Sequence, residues 1–328
     1  MLIALLLVVL LAALLLAACG ANGARFGDND SGNSSGSDTG PGANVAAGSA
    51  DPAPARDATP EVLEVSQPAQ SLAQDNTAAL DYSNASEGYV CARSLAADVK
   101  IKALVHAPDG SQYQYTLATD GSWITIPLSA GNGSYAIELY ENIYADQYAA
   151  LFSQIVEAQL TDEFKPFLYP NQFVDFAAGD DTVLLSQQLA SGASGEVEAV
   201  DQIYNWVVEN ISYDYNKAAN VAPGYLPDNS ATLTSKTGIC FDYAVLTASM
   251  LRAQRLPCKL DIGYAGQGAY HAWIHVYTRE SGWITRRIDF PGDSWVLMDP
   301  TFDSTSGTRT SVVSYVGDGT SYQTLFNY

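Results

Sequence analysis

Residues 234–258 read TSKTGICFDYAVLTASMLRAQRLPC. Gly238 and Cys240 stand directly before a run that contains no further Gly and no Pro until Pro257. Such a run predicts a helix that begins at Cys240 and ends before Pro257. A cysteine at a helix start meets amide N–H groups with no partner inside the helix, and the positive end of the helix dipole. Both favour a thiolate. The competing reading is a small apolar residue that only packs, which is the ordinary fate of cysteine. The rest of the chain has to decide between a nucleophile and a filler.

A thiolate nucleophile needs a base or imidazolium partner, and that partner needs an orienting group. The chain has three histidines. His106 closes a strand-like run and, as a lone surface histidine, takes no role. His271 and His275 fall in YHAWIHVYT, where His271, Trp273, His275 and Tyr277 alternate with the period of a strand. Four residues along a strand span about 13 Å, so one small site does not use both, and His275 is read as a structural or rim residue. WVLMDPT carries Trp295, Leu297 and Asp299 in the same period. Cys240, His271 and Asp299 thus form a nucleophile, a base and an orienting carboxylate on a helix, a strand and a neighbouring strand. Asp242 reads as a solvated or capping carboxylate, one that belongs to the motif and is placed to fix the loop before the helix. Tyr225 and Trp273 are expected to line the site. Asp289 and Asp293, in IDFPGDS, belong to an insertion longer than a minimal hairpin that is expected to shape the cleft.

These three motifs resemble the transglutaminase-like superfamily, which shares the papain-related cysteine fold. TGICFDYAVLTASMLRAQRLPCKLDIGY resembles its nucleophile helix and following strand, YHAWIHVY its histidine strand, and WVLMDPTF its aspartate strand. The resemblance covers roughly Leu184 to Phe302 and includes NWVVENISYDYNKA with GYLP. It implies that Cys240 is the nucleophile, His271 the general acid/base and Asp299 the group that orients His271. It also implies a papain/transglutaminase-like α+β catalytic domain, preceded by a small β-sandwich as in exported bacterial relatives. Calcium activation, found in animal relatives, has no visible ligand set here, and no cofactor is expected.

The periodicities divide the chain to match. From about Gly88 to Pro170, VCARSL, VKIKALVHA, QYQYTLAT, SWITIPL and SYAIELYE alternate apolar and polar residues between turn signals. In VKIKALVH, Val99, Ile101, Ala103 and Val105 share one face, and Lys100 and Lys102 the other. This predicts an antiparallel, immunoglobulin-like sandwich over residues 81–175. Residues 176–328 then read as helices followed by strands, an α+β order. Val197, Val200, Ile203, Tyr204, Val207 and Ile211 form one helical stripe. Leu260, Ile262 and Tyr264 alternate in a strand. The 20 tyrosines suit β packing better than a ligand platform.

MLIALLLVVLLAALLLAAC reads as a secretory signal segment, residues 1–19. Its LAAC ending, with Gly20, resembles the lipobox of bacterial lipoproteins, in which Cys19 would be lipidated. It departs from that pattern in having no Lys or Arg near its start. A transmembrane anchor is the alternative, but no basic cluster follows the run. Both place the protein outside the cytoplasm, and the first puts it on the extracellular face of a bacterial cell membrane. Residues 20–80, rich in Gly, Ser, Asp, Ala and Pro, read as a disordered linker. The net charge of −21 repels phosphate backbones and argues against nucleic acid. The expected partners are a peptide or protein substrate, with wall peptides and surface proteins as the class, and the membrane through the lipid anchor; the protein itself is expected to be a monomer. Of the remaining cysteines, Cys91 and Cys258 are candidates for a bridge. Two functions fit: a cysteine enzyme acting on amide bonds through a thioester, and a catalytically silent surface binding module.

Overall fold

The chain, seen in a computed structural model, is described here for residues 55–284, 288–306, 316 and 319–328. Cys19 and the signal segment lie outside the described residues.

Eight strands form the first unit: β1 Leu72–Gln74, β2 Ala78–Asp81, β3 Tyr89–Ser94, β4 Ile101–His106, β5 Gln112–Thr116, β6 Ile124–Pro127, β7 Gly133–Tyr144 and β8 Gln147–Ala158. They pair antiparallel in two sheets, ordered β1-β2-β3-β6 and β5-β4-β7-β8. The inward residues Ile101, Ala103 and Val105 pack with Val90, Ala92, Ile126, Ile137 and Leu139. The outward Lys102 is nevertheless buried, its ammonium lying 4.7 Å from the centroid of the Tyr148 ring.

The second unit contains α1 Asp181–Ala190, α2 Glu196–Asn210, β9 Ser212–Tyr213, α3 Tyr215–Asn220, α4 Asn229–Ser235, β10 Thr237–Gly238, α5 Cys240–Ala253, β11 Cys258–Ala265, β12 Ala269–Thr278, β13 Ser281–Ile284, β14 Ile288–Pro291, β15 Ser294–Met298, α6 Pro300–Thr305 and β16 Tyr322–Asn327. An antiparallel sheet ordered β15-β12-β11-β16 carries the helices. All six residues of the α2 stripe are buried. Every residue of α5 except Phe241 is buried. A helix surrounded on all sides needs no polar face, which is why CFDYAVLTASMLRA shows so little amphipathic pattern.

Burying α5 requires its polar side chains to be satisfied internally. Arg252 shows how. It is 1% exposed, and its guanidinium donates four hydrogen bonds to carbonyl oxygens: two to Cys258 (3.0 and 2.8 Å), one to Tyr169 (2.8 Å) and one to Tyr328 (2.7 Å). Burial lowers its pKa to about 10, which still leaves it charged at neutral pH. One side chain thus joins α5 to β11, to the segment between the two units, and to the residue after β16.

Residues 55–69, within the stretch expected to be linker, run as an ordered strap. Arg56 N–H donates to Ala193 O (2.6 Å) and Glu61 N–H to Ala253 O (2.8 Å). Farther along, Ser66 N–H reaches the Tyr89 hydroxyl (3.1 Å) and Ala69 N–H the Asp81 carboxylate (2.7 Å). The strap therefore crosses from the helical unit to the sandwich, and β1 and β2 follow within the same expected linker. Its ties are mostly main-chain groups, which an alanine- and proline-rich composition does not reveal.

Cys91 and Cys258 are both free thiols. Cys91 packs with Tyr89 and Tyr169, whereas Cys258 belongs to the main core. The bridge is not formed. The tyrosines mostly pack: Tyr89, Tyr113, Tyr115, Tyr135, Tyr204, Tyr243 and Tyr328 are all buried.

Arg252→Ala would remove four buried hydrogen bonds and strip three carbonyl acceptors, those of Cys258, Tyr169 and Tyr328, of this donor. The expected cost is about 3 kcal/mol, read as a lower denaturant midpoint with an unchanged slope. A loss below about 1 kcal/mol would show that Arg252 is not what ties these elements.

Candidate active site

The threshold of α5 is set by Asp242, a carboxylate with no exposed surface. Its Oδ2 accepts the Ile239 N–H (2.8 Å) and the Lys217 ammonium (2.7 Å), and its Oδ1 accepts the Tyr225 hydroxyl (2.5 Å). Lys217 also donates to the Tyr225 oxygen (2.7 Å). Burial works against the Lys217 charge, but the bonds to Asp242 and Tyr225 outweigh it and raise the pKa. Burial, then the bond to Asp242, pushes the Tyr225 phenol up to about 12. At neutral pH Lys217 is therefore a cation and Tyr225 a neutral phenol, and both bond Asp242 in one hydrogen-bonded knot.

Gly238 is required by the same knot. A Cβ there would lie 2.7 Å from the Asp242 Cβ, inside normal contact. Gly238 also belongs to β10, whose short parallel pairing with β9 brings Tyr213 beside the site.

Cys240 is the first residue of α5 and is 8% exposed. It borders a cavity of about 310 Å³ together with His271. His271 comes from β12, opposite Gly263 of β11. Its Nε2 lies 2.8 Å from Asp299 Oδ2, so Nδ1 is the ring atom suited to exchange a proton with a thiol. His271 also borders a second cavity of about 240 Å³, with Asp299, Tyr213 and Tyr215 in its wall. Burial pushes the Tyr270 phenol up, with Tyr264 next and charge at Cys240 after it.

Asp299 is 1% exposed and caps α6, accepting the Phe302 N–H (2.9 Å). Burial alone would raise its pKa. The His271 charge, its hydrogen bond, the Phe302 amide and Tyr322 together reverse this and hold the carboxyl below the ordinary range. Asp299 is thus ionised at neutral pH and disposed to orient His271 and stabilise its cation.

Tyr322 was not visible as a site residue in the sequence. It comes from β16, donates its hydroxyl to Asp299 Oδ2 (2.7 Å), and packs its ring 4.9 Å from that of Trp273. Trp273 in turn stacks near His271, with 6.2 Å between centroids and 22° between planes. Trp273 is fully buried behind the histidine and lines neither cavity, whereas Tyr225 lines the first. His275 pairs with Asp261 (2.9 Å) farther along the sheet. Asp289 lies on β14, which pairs antiparallel with β13, and Asp293 lies in the turn between β14 and β15; β13 packs on α2, with Gly282 against Val197. None of the insertion's described residues borders the two cavities. Among the described residues no cluster of three or more His, Cys, Asp or Glu could hold a metal.

Residues 184–300 match the family model of the Transglutaminase-like superfamily. That span holds Cys240, His271 and Asp299 and stops short of Tyr322. In sequence, 88 residues are 32% identical to UPF0252 protein MJ1282 of Methanocaldococcus jannaschii, over 24% of this chain and 25% of that protein. The chain thus spans about a quarter of the length of that curated relative. Among solved structures, the periplasmic domain of TgpA from Pseudomonas aeruginosa is similar at 13% identity and a TM-score of 0.32, covering 75% of this chain and 98% of that one. Red sea bream transglutaminase is similar at 11% identity and a TM-score of 0.32, covering 67% and 48%. The family match covers residues 184–300 alone, and the chemistry below rests on the placement of the chain's own side chains.

A depressed carboxyl pKa adds stability above the unfolded value, about 3.9, and that stability is lost as pH falls through the lower folded value. Tyr322→Phe removes one donor to Asp299 and raises its pKa. The acid-unfolding midpoint is expected to move to higher pH, with about 1–2 kcal/mol lost at neutral pH. An unmoved midpoint would mean that Tyr322 does not hold the carboxylate.

Proposed function

We propose that the protein is an exported cysteine enzyme that acts on amide or peptide bonds through a thioester. The observation that carries this reading is one cavity bordered by both Cys240, at the N-terminus of α5, and His271, bonded to the buried Asp299. Proton transfer from Cys240 to His271 gives a thiolate and an imidazolium. The thiolate sulfur attacks the carbonyl carbon, and the carbonyl electrons move to oxygen. Amide groups in the first turn of α5 have no partner within the helix and are suited to bind that oxyanion. As the tetrahedral state collapses, the C–N bond breaks and His271 delivers its proton to the departing amine. Water or a second amine then attacks the thioester, His271 takes the nucleophile's proton, and the proton returns to Cys240 as the C–S bond breaks. Water yields a hydrolase and an amine yields a cross-linking acyltransferase.

The lipobox-like ending at Cys19 and the polar stretch after it support a lipid-anchored protein at the outer face of a bacterial membrane. Wall peptides and surface proteins are then within reach as substrates. One observation favours a silent binding module instead. Cys240 is only 8% exposed, so a substrate must enter a narrow cavity to reach it.

Iodoacetamide labelling, followed by peptide mass spectrometry, separates the two. At about pH 6 an ordinary thiol, with pKa about 8.5, is nearly unreactive. Cys240 is expected to label there at a rate that falls at least about tenfold in His271→Ala. Cys91, pushed up to about 11 mainly by burial, and Cys258, raised by burial also, should stay unlabelled in the native protein. Slow labelling of Cys240 that ignores His271 would sink the enzyme reading. Turnover of glutamine peptides with a labelled primary amine, against release of amine into water, then distinguishes transferase from hydrolase.

A further inference from the structure

The acyl half of a thioester stays bonded to the cysteine sulfur until water or an amine removes it. It must therefore occupy space that Cys240 borders. The 310 Å³ cavity is such a space, and its walls hold no Asp, Glu, Lys or Arg. In a chain with 36 acidic and 15 basic residues, that composition is selective. Ala218, Val221, Phe241, Ile262, Phe326 and Tyr328 are among its apolar walls, with Gln114 as a polar group of the wall. A charged side chain entering here would lose its water and meet no Asp, Glu, Lys or Arg partner in the wall, which is costly. An apolar side chain would exchange water for ring and methyl contacts, which is favourable. The volume is near the lower end for small-molecule pockets and suits one large side chain.

We propose that this cavity is the acyl-side pocket of the enzyme, and that it selects a bulky, uncharged, apolar side chain on the residue whose carbonyl Cys240 attacks. The proposal rests on Cys240 being the nucleophile. It also assigns a role to parts of the chain outside the family match. Gln114 comes from β5 of the sandwich, and Phe326 and Tyr328 come from β16 and the residue after it. Tyr113 and Tyr115 of β5 pack against Tyr328, at 5.6 and 6.0 Å between centroids, and Tyr113 donates to Asn327 Oδ1 (3.1 Å). The sandwich therefore helps to build the pocket wall, and specificity is written partly in residues that carry none of the chemistry.

The test uses the full-length protein and peptidyl chloromethyl ketones that differ only in the residue next to the ketone: Phe, Leu, Gly, Lys or Asp. Attachment to Cys240 is read by peptide mass spectrometry, so turnover is not required. The Phe and Leu probes are expected to label at least about tenfold faster than Gly, and the Lys and Asp probes more slowly than Gly. In Ala218→Phe, which fills the cavity, the Phe-to-Gly rate ratio should fall toward one. The thermal midpoint of the variant separates a filled pocket from an unfolded one, and Val221→Phe replaces it should the first not fold. If iodoacetamide labels Cys240 while the five ketones react alike, or while Lys or Asp leads, the pocket assignment is overturned and the nucleophile stands. If Cys240 resists iodoacetamide as well, the nucleophile reading falls and this assignment falls with it.

Discussion

A carboxylate without exposed surface has to be compensated completely or not built at all. Asp242 meets that demand with an amide, an ammonium and a phenol drawn from three separate places in the chain. The compensation is what positions Cys240. The Ile239 amide is fixed by Asp242, so the turn entering α5 has one geometry, and Gly238 must stay bare because the Asp242 Cβ occupies the space a side chain would need. Lys217 from α3 and Tyr225 from the following loop are held by the same carboxylate, and Tyr225 borders the cavity that Cys240 borders. Cys240, the loop and the cavity wall thus share one electrostatic anchor.

Histidine and aspartate are anchored differently. Asp299 sits where β15 gives way to α6, so its carboxylate caps that helix and still faces His271 across the sheet. Burial opposes the ionised form, and three donors reverse the balance. One of them, Tyr322, arrives on the edge strand β16, which also brings Phe326 and Tyr328 against the sandwich. The last strand therefore does two things at once: it stiffens the histidine's partner and closes the cavity. Arg252 completes this arrangement from behind by binding the Tyr328 carbonyl together with those of Cys258 and Tyr169. Such a construction makes the β15-β12-β11-β16 sheet, the sandwich and the connecting segment one continuous core.

Much of this was legible in the residues. The start of α5 at Cys240 follows from where Gly and Pro fall, and the buried face of α2 follows from its spacing. The β12 and β15 strands follow from period-two alternation, which puts His271 and Asp299 in reach of each other once the strands pair. The capping role of Asp242 could be read from its place two residues after the helix begins. Other readings failed for reasons that are physical. Trp273 shares a face with His271, but being on one face of a strand does not say whether that position opens on a cavity or on the core. The hairpin carrying Asp289 turned toward α2, a choice made by packing between elements far apart in sequence. The strap at 55–69 is held chiefly through main-chain N–H and C=O groups, which every composition possesses.

By itself, the sequence determined helices α2 and α5, the β12 and β15 strands and the places of Cys240, His271 and Asp299 along them, because helix and strand periods act over short stretches. Tertiary structure alone decided what surrounds those groups. Lys217 and Tyr225 meet at Asp242, Tyr322 meets Asp299, and Gln114 of the sandwich joins the cavity wall, through contacts that span from 8 residues to more than a hundred along the chain. No local period encodes such meetings. They exist because buried charge has to be satisfied and apolar surface has to be covered by whatever the folded chain brings within reach.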